Sequence, residues 1–346
     1  MDKINIVRYD AAQRVLWDDF VENARNATFL FKRDYMDYHA DRFADCSLLA
    51  WSGGKLLAVL PADLSRDGIL RSHGGLTYGG WILPKAHLDG TDLLEIFETA
   101  VEYCRGAGIS GISYKPLPYI YALYPSQEDI YALFRLGGAI DCVNLSSAVD
   151  LLNPRPFNTL QRRLLRKAGS LPFAPKVESS PMEGDYDVAP FWNMLADCLD
   201  QRHDARPVHS LEELQMLRDR FPSEIRIFMV RDDVGIPAAG VCVFESAMVA
   251  HCQYICTTAR GRSLNLLPFL FDYLINRVYA KGDGPASDSA EISFPRKYSP
   301  RYFDFGTSNE EAGRILNAGL HRQKSSFGAT GVAYPRYFIP VTSPLS

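Results

Sequence analysis

The chain has 346 residues, 47% hydrophobic and 23% charged, with a formal net charge of −4. That composition belongs to a soluble globular protein with material for two cores. It excludes a whole-chain attraction to nucleic acid or to an anionic membrane, so any anion site has to be local.

In chain order, the first half alternates strands and helices. A strand over 4–9 leads into a helix over 11–26 with Val15, Leu16, Phe20 and Val21 facing inward. An aromatic helix over 34–43 carries Tyr35, Tyr38 and His39. Strands over 47–51 and 55–61 flank Ser52-Gly53-Gly54, a hairpin signal. The glycine-rich run Ser72-His-Gly-Gly-Leu-Thr-Tyr-Gly-Gly80 follows; its glycines suit either a twisted hairpin or close approach to a ligand. An amphipathic helix over 91–106, a strand over 109–114, a helix after Ser126 and a long apolar strand over 139–151 complete the half.

The second half repeats this order loosely. A basic helix spans 157–168, followed by a strand over 174–178 and helices over 186–202 and 211–220, the latter opened by the capping box Ser210-Leu-Glu-Glu213. Strands over 225–231, 238–245 and 248–257 precede a helix over 263–280. Residues 281–300 are rich in Gly, Pro, Ser and Asp and are expected to form a mobile loop. A short aromatic strand ends at Gly306, a helix carrying Ile315, Leu316 and Leu320 is expected up to about Gln323, and a last strand spans 332–339. Domains over 1–152 and 153–346 are the resulting division, each of mixed α/β (α+β) type.

Seven cysteines without a Cys-x-x-Cys argue against a disulfide framework or a zinc site, so no metal is expected. No signal-like h-region or transmembrane run of about 18 apolar residues is evident. The expectation is a cytoplasmic protein.

Several polar groups are placed where chemistry is plausible. Arg162, Arg163, Arg166 and Lys167 share one face of the basic helix, which suits phosphates or an ordinary solvated surface. In Val249-Ala-His-Cys-Gln-Tyr-Ile-Cys-Thr257, alternation turns His251, Gln253 and Ile255 to one face, as a cleft-lining strand or a core with a satisfied histidine would. Arg260-Gly261-Arg262 opens the next helix, an anion-friendly arrangement. Asp304 lies between two phenylalanines, either on an open face or as a paired buried carboxylate. Thr307, Ser308 and Asn309 are N-cap residue types, so the turn after Gly306 suits an anion or serves as a plain connection. His73, Tyr78, His39 and Lys115 are the polar candidates of the first half.

Taken together, Phe303-Asp-Phe-Gly-Thr-Ser-Asn-Glu310 with Gly313, Asn317, Lys324 and Phe327-Gly328 resembles the C-terminal motif of the Fem-like (FemAB-type) branch of the GNAT acyltransferase superfamily. Arg163-Leu-Leu-Arg-Lys-Ala168 resembles the helix that opens the second half in that branch, and His251-Cys-Gln-Tyr254 falls on its central strand. Residues 29–43 and the glycine-rich run resemble members found with bacterial surface-polysaccharide genes. The turn Arg260-Gly-Arg-Ser-Leu-Asn265 matches the acyl-coenzyme A turn of that superfamily only in part, and the helical arm of the tRNA-dependent members has no counterpart.

The resemblance implies two tandem GNAT-like domains with a cleft between them and an acyl group moved to an amine or hydroxyl. Acyl-coenzyme A is the implied co-substrate, and a nucleotide- or lipid-linked amino sugar or other cell-envelope precursor the implied acceptor. No DNA partner is implied. Aminoacyl transfer from tRNA and a non-catalytic binding protein are the alternatives. On the first reading Lys324 stabilises an oxyanion or holds a substrate phosphate, His251 or His73 takes the proton, and Arg163, Arg166, Lys167, Arg260, Gly261 and Arg262 hold the co-substrate. Tyr78, Gln253, Asp304, Ser308, Asn309, Lys115 and His39 are the remaining substrate-binding candidates.

Overall fold

The structure, a computed structural model, describes residues 3–203, 206–280 and 296–341. It opens with β1 (Asn5–Arg8), α1 (Arg14–Glu22) and the single-turn α2 (Arg33–Met36). α1 turns Trp17 and Val21 inward, whereas Val15 and Leu16, expected inside, are exposed. Trp17 fixes that phase: its ring lies 3.9 Å from the buried Arg33 guanidinium and its Nε1–H donates to Phe31 O at 2.7 Å. The helix expected over 34–43 ends early and passes into a 3-10 turn, Asp37–His39.

β2 (Leu48–Ser52) and β3 (Lys55–Leu60) form the expected hairpin, and β1 adds to β2 antiparallel. β4 (Asp63–Leu64), β5 (Ile69–Arg71), α3 (Gly90–Gly106), β6 (Gly111–Tyr114), α4 (Glu128–Arg135) and β7 (Ala139–Asp150) follow. α3 starts where it does because Asp89 accepts hydrogen bonds from the N–H groups of Thr91 and Asp92.

The second half contains α5 (Thr159–Gly169), β8 (Val177–Ser179), α6 (Ala189–His203), α7 (Leu211–Arg220), β9 (Ile225–Arg231), β10 (Pro237–Glu245) and β11 (Val249–Thr257). α8 (Ala259–Ser263) and α9 (Leu266–Tyr273) replace the single helix expected from 263. Asn265 breaks it by taking φ 58°, a conformation that asparagine tolerates better than most side chains. Most of the expected 281–300 loop, residues 281–295, lies outside the described residues.

β12 (Tyr302–Thr307) is the aromatic strand, but the helix expected right after it is absent. Glu311 and Ala312 adopt φ 47° and 52°, which turns the chain into a short hairpin of β13 (Asn309–Glu310) and β14 (Ile315–Leu316). The helix begins only at α10 (Ala318–Ser325), where Asn317 Oδ1 accepts the N–H of Leu320 at 3.0 Å. β15 (Thr330–Pro340) ends the described chain.

The chain divides into two compact units. Unit 1 holds the residues up to Leu145, Asn309–Leu316 and the chain from Ala333; unit 2 holds Ser146–Ser308 and Asn317–Val332. In unit 1, β5 and β6 pair in parallel and β6 pairs antiparallel with Tyr337–Pro340 of β15, around a core containing Trp81, Leu93 and Phe97. In unit 2 the strand order is β7-β12-β11-β10-β9-β8, with β11 and β12 the parallel pair. Its core centres on Phe271, Phe303, Phe305 and Phe327, whose ring centroids lie 4.9 Å apart for Phe271–Phe305 and 5.0 Å for Phe271–Phe327. The α/β class with two mixed-sheet units flanked by helices is therefore the one expected.

Candidate active site

β11 alternates as the sequence indicates: Ala250, Cys252 and Tyr254 are buried, and His251, Gln253 and Ile255 lie on the more open side. It pairs with β12 at Val249↔Tyr302, Ala250↔Phe303 and His251↔Asp304, and the pairing stops there although both strands continue. Two bulges coincide with that point. β11 carries one extra residue, Gln253, between Cys252 and Tyr254, where β10 offers Val243 and Cys242. β12 carries one extra residue between Asp304 and Thr307, absorbed by Gly306 at φ 78°, a conformation suited to glycine. Bulges bend a strand and increase its local twist.

Where the strands stop pairing, a polar cluster is assembled. His251 Nδ1 lies 2.8 Å from Asp304 Oδ2, Ser146 Oγ donates to Asp304 Oδ1 at 2.5 Å, and the Gly306 N–H donates to the same oxygen at 3.1 Å. Asp304 is fully buried, so it is the paired buried carboxylate rather than an open-face residue. Burial pushes its carboxyl up, but the hydrogen bond and charge of His251, the Ser146 hydroxyl and the Gly306 N–H outweigh that and hold it below its ordinary value. A carboxylate at Nδ1 assigns the N–H to that nitrogen and leaves Nε2 of His251 with the lone pair.

Lys324 reaches the same place from α10. Its Nζ donates to Gly306 O at 2.9 Å and Thr307 O at 2.7 Å, which leaves the third N–H of the ammonium for another acceptor. The side chain is buried, and burial lowers its pKa to about 8 while nearby Asp304 pulls the other way.

Lys324 also lines a cavity of about 640 Å³ within unit 2. The deeper wall is buried and apolar: Leu195, Leu267, Phe271, Phe305 and Phe327. Arg262 and Gln323, both exposed, lie at its open side.

The phosphate-binding candidates separate here. Arg262 lines the cavity and donates Nη1–H to Thr257 O at 2.7 Å. Arg260 is engaged by Asp233 at 2.7 and 2.8 Å. Gly261 is required by packing, since a Cβ there would stand 2.1 Å from Ala238 O. On α5 it is Gln161 and Leu164 that reach the cavity, while Arg162, Arg163, Arg166 and Lys167 are exposed. Ser308 is buried and its carbonyl accepts from the Asn317 N–H at 2.9 Å. Asn309 serves the hairpin: its Oδ1 accepts the Leu145 N–H at 2.5 Å.

The first-half candidates form a different cluster, in unit 1. His73, at φ 57°, is buried against His39 and Phe43, with ring centroids 5.1 and 5.5 Å away. Burial, and then the neighbouring His39, Lys115, Arg33 and Arg71, lower its pKa to about 3. Lys115 donates Nζ–H to Leu76 O, and burial lowers it to about 8 against the pull of Asp63. Tyr78 is buried in an aromatic group with Tyr121 (4.5 Å) and Phe31 (6.0 Å). His73 is thus neutral and a poor proton acceptor near neutral pH.

Sequence reasoning missed Ser146 and the α6 wall of the cavity. The Ser146-Ser147 pair inside a long apolar strand was the available signal for the first. Among the described residues no three His, Cys, Asp or Glu side chains gather as a metal site would need, and no helix is long and apolar enough to cross a membrane.

No protein-family model matches the chain, and no curated protein matches it by sequence. Solved structures do match in fold. FemX is 11% identical, with 97% of each chain covered and a TM-score of 0.65. A domain assigned as the C-terminal part of a lysylphosphatidylglycerol synthetase of Agrobacterium fabrum is 13% identical, covering 96% of this chain and 93% of that one, with a TM-score of 0.59. The L-PGS of Bacillus licheniformis is 10% identical, covering 100% and 95%, with a TM-score of 0.57. At such identities the likeness concerns the fold, which is Fem-like.

Proposed function

We propose that this chain is an acyltransferase of Fem-like fold, moving an acyl group from a thioester held in the unit 2 cavity to an amine or hydroxyl. The observation that carries this reading is the His251–Asp304 pair, at the point where two parallel strands stop pairing, together with the buried Lys324 that lines the cavity. Supporting it are the Fem-like fold and the resemblance of the 303–328 stretch to the Fem-like motif.

In this reading the acceptor nitrogen or oxygen attacks the thioester carbonyl carbon. The new C–N or C–O bond forms, the C–S bond breaks, and the departing thiolate takes up a proton. His251 Nε2 accepts the acceptor's proton, with Asp304 holding the ring and stabilising the imidazolium. The remaining N–H of Lys324 offsets the charge that develops on the carbonyl oxygen. Acyl-coenzyme A is the proposed donor: Arg262 at the open side suits a phosphate, and Gln161, Asn265 and Asn317 in the lining suit amides.

The proposed acceptor is an amino sugar or another cell-envelope or polysaccharide precursor, on the resemblance of residues 29–43 and 72–80 to proteins found with such genes. A cytoplasmic location is in keeping with seven cysteines that form no disulfide.

Thermal shift with acyl-coenzyme A, nucleotide sugars and charged tRNA tests the reading. A ligand at 100 times its Kd adds about 2.7 kcal/mol. A shift with acyl-coenzyme A is expected; a shift with charged tRNA alone favours aminoacyl transfer, and none with any of them favours a binding protein.

A further inference from the structure

The lining of the unit 2 cavity combines nine large apolar side chains, such as Leu164, Leu199 and Leu320, with two cations, Arg262 and Lys324. Among these described residues there is no Asp or Glu. Resting on the acyl-transfer reading above, we infer that the cavity takes a hydrocarbon acyl chain well beyond acetyl, and that it rejects an acyl group bearing an ammonium.

Protein interiors are close-packed, and voids larger than a water molecule are few. A space of about 640 Å³ has the size of a small-molecule pocket, and here α5, α6, α9 and α10 hold it open together. An acetyl group offers one methyl to this wall. It would leave Leu164, Leu199, Ile255 and Leu320, the partly exposed apolar side chains of the lining, uncovered. A longer chain fills that space and removes its own methylenes from water.

The charge balance excludes the other class of acyl group. An aminoacyl ammonium taken from water needs a carboxylate or several acceptors to offset its desolvation. The lining offers none of the first, and against its side-chain amide acceptors, Gln161, Asn265, Asn317 and Gln323, it sets two cations. The inner wall therefore suits a neutral hydrocarbon, and the exposed Arg262 suits the anionic end of the donor.

Calorimetric titration of the full chain with acetyl-, octanoyl- and 8-aminooctanoyl-coenzyme A tests this. Each methylene fully buried in the cavity tightens binding roughly fourfold, so octanoyl, with a little over half of its extra methylenes buried, should bind about 100-fold tighter than acetyl. The 8-amino group should cancel most of that gain. Leu199→Trp, which fills the cavity, should shrink the octanoyl-to-acetyl ratio to below about tenfold. Leu320→Trp, at a side chain 38% exposed, serves if the first variant does not fold.

Equal affinity for acetyl and octanoyl, or an aminooctanoyl thioester that binds as tightly as octanoyl, overturns the inference and leaves acyl transfer standing. Failure of all three to bind overturns the inference and the acyl-coenzyme A reading together.

Discussion

Each unit gathers a histidine and a lysine into a polar cluster, and the two clusters differ in what surrounds those residue types. In unit 2, His251 retains an orienting carboxylate, and Lys324, held by two carbonyls, borders a cavity. In unit 1, His73 is pressed among aromatic rings and cations and is uncharged near neutral pH, and Lys115 donates to Leu76 O without lining a cavity of this kind. The contrast teaches that a histidine becomes a base through a carboxylate at one ring nitrogen and a lone pair left on the other. Residue type alone does not supply either.

The largest expected effect separates the two histidines. His251→Gln should lower kcat by about 10²–10⁴ in an assay of coenzyme A release with amino-sugar acceptors, and Asp304→Asn by a similar factor. His73→Gln should leave kcat close to wild type. A comparable loss in His73→Gln would break the comparison.

The lysines come next. Lys324→Met should cost about 10²–10³ in kcat with the fold retained in circular dichroism, and Lys115→Met should leave kcat unchanged. Because Lys324 acts as an ammonium and its pKa lies at about 8, kcat should fall as pH rises past about 8. The same fall in Lys115→Met would show that it belongs to Lys324.

Stability gives a smaller and opposite signal. Both lysines have folded values of about 8, below the ordinary 10.5, so between these pH values the unfolded chain binds more protons and stability rises with pH. Each methionine variant should remove part of that rise, on the order of 1–3 kcal/mol, in urea melts across pH 7.5–10.5. His73 acts at the acid end. Its value of about 3 lies below the ordinary 6.5, so stability falls as pH drops through that window, and less so in His73→Asn.

Much of the site's local structure was legible in the sequence. Period-two alternation placed His251, Gln253 and Ile255 on one side of β11, and the motif stretch singled out Asp304 and Lys324. The His251–Asp304 pair was not legible, because it depends on parallel register between strands 53 residues apart. The helix expected after Gly306 was misplaced because two non-glycine residues take positive φ, so the effective cap is Asn317. Helical spacing misled at α1 for a related reason: Arg33 and Trp17, distant in sequence, set its phase. The cavity was invisible because its wall comes from side chains of five elements or more.

The most direct test is a crystal structure of the chain with a non-hydrolysable acyl-coenzyme A analogue. The account predicts the analogue's carbonyl oxygen about 3 Å from Lys324 Nζ, with its chain along Phe271 and Phe327. An analogue ordered beside His73 and Lys115 in unit 1, with the unit 2 cavity empty, would contradict it.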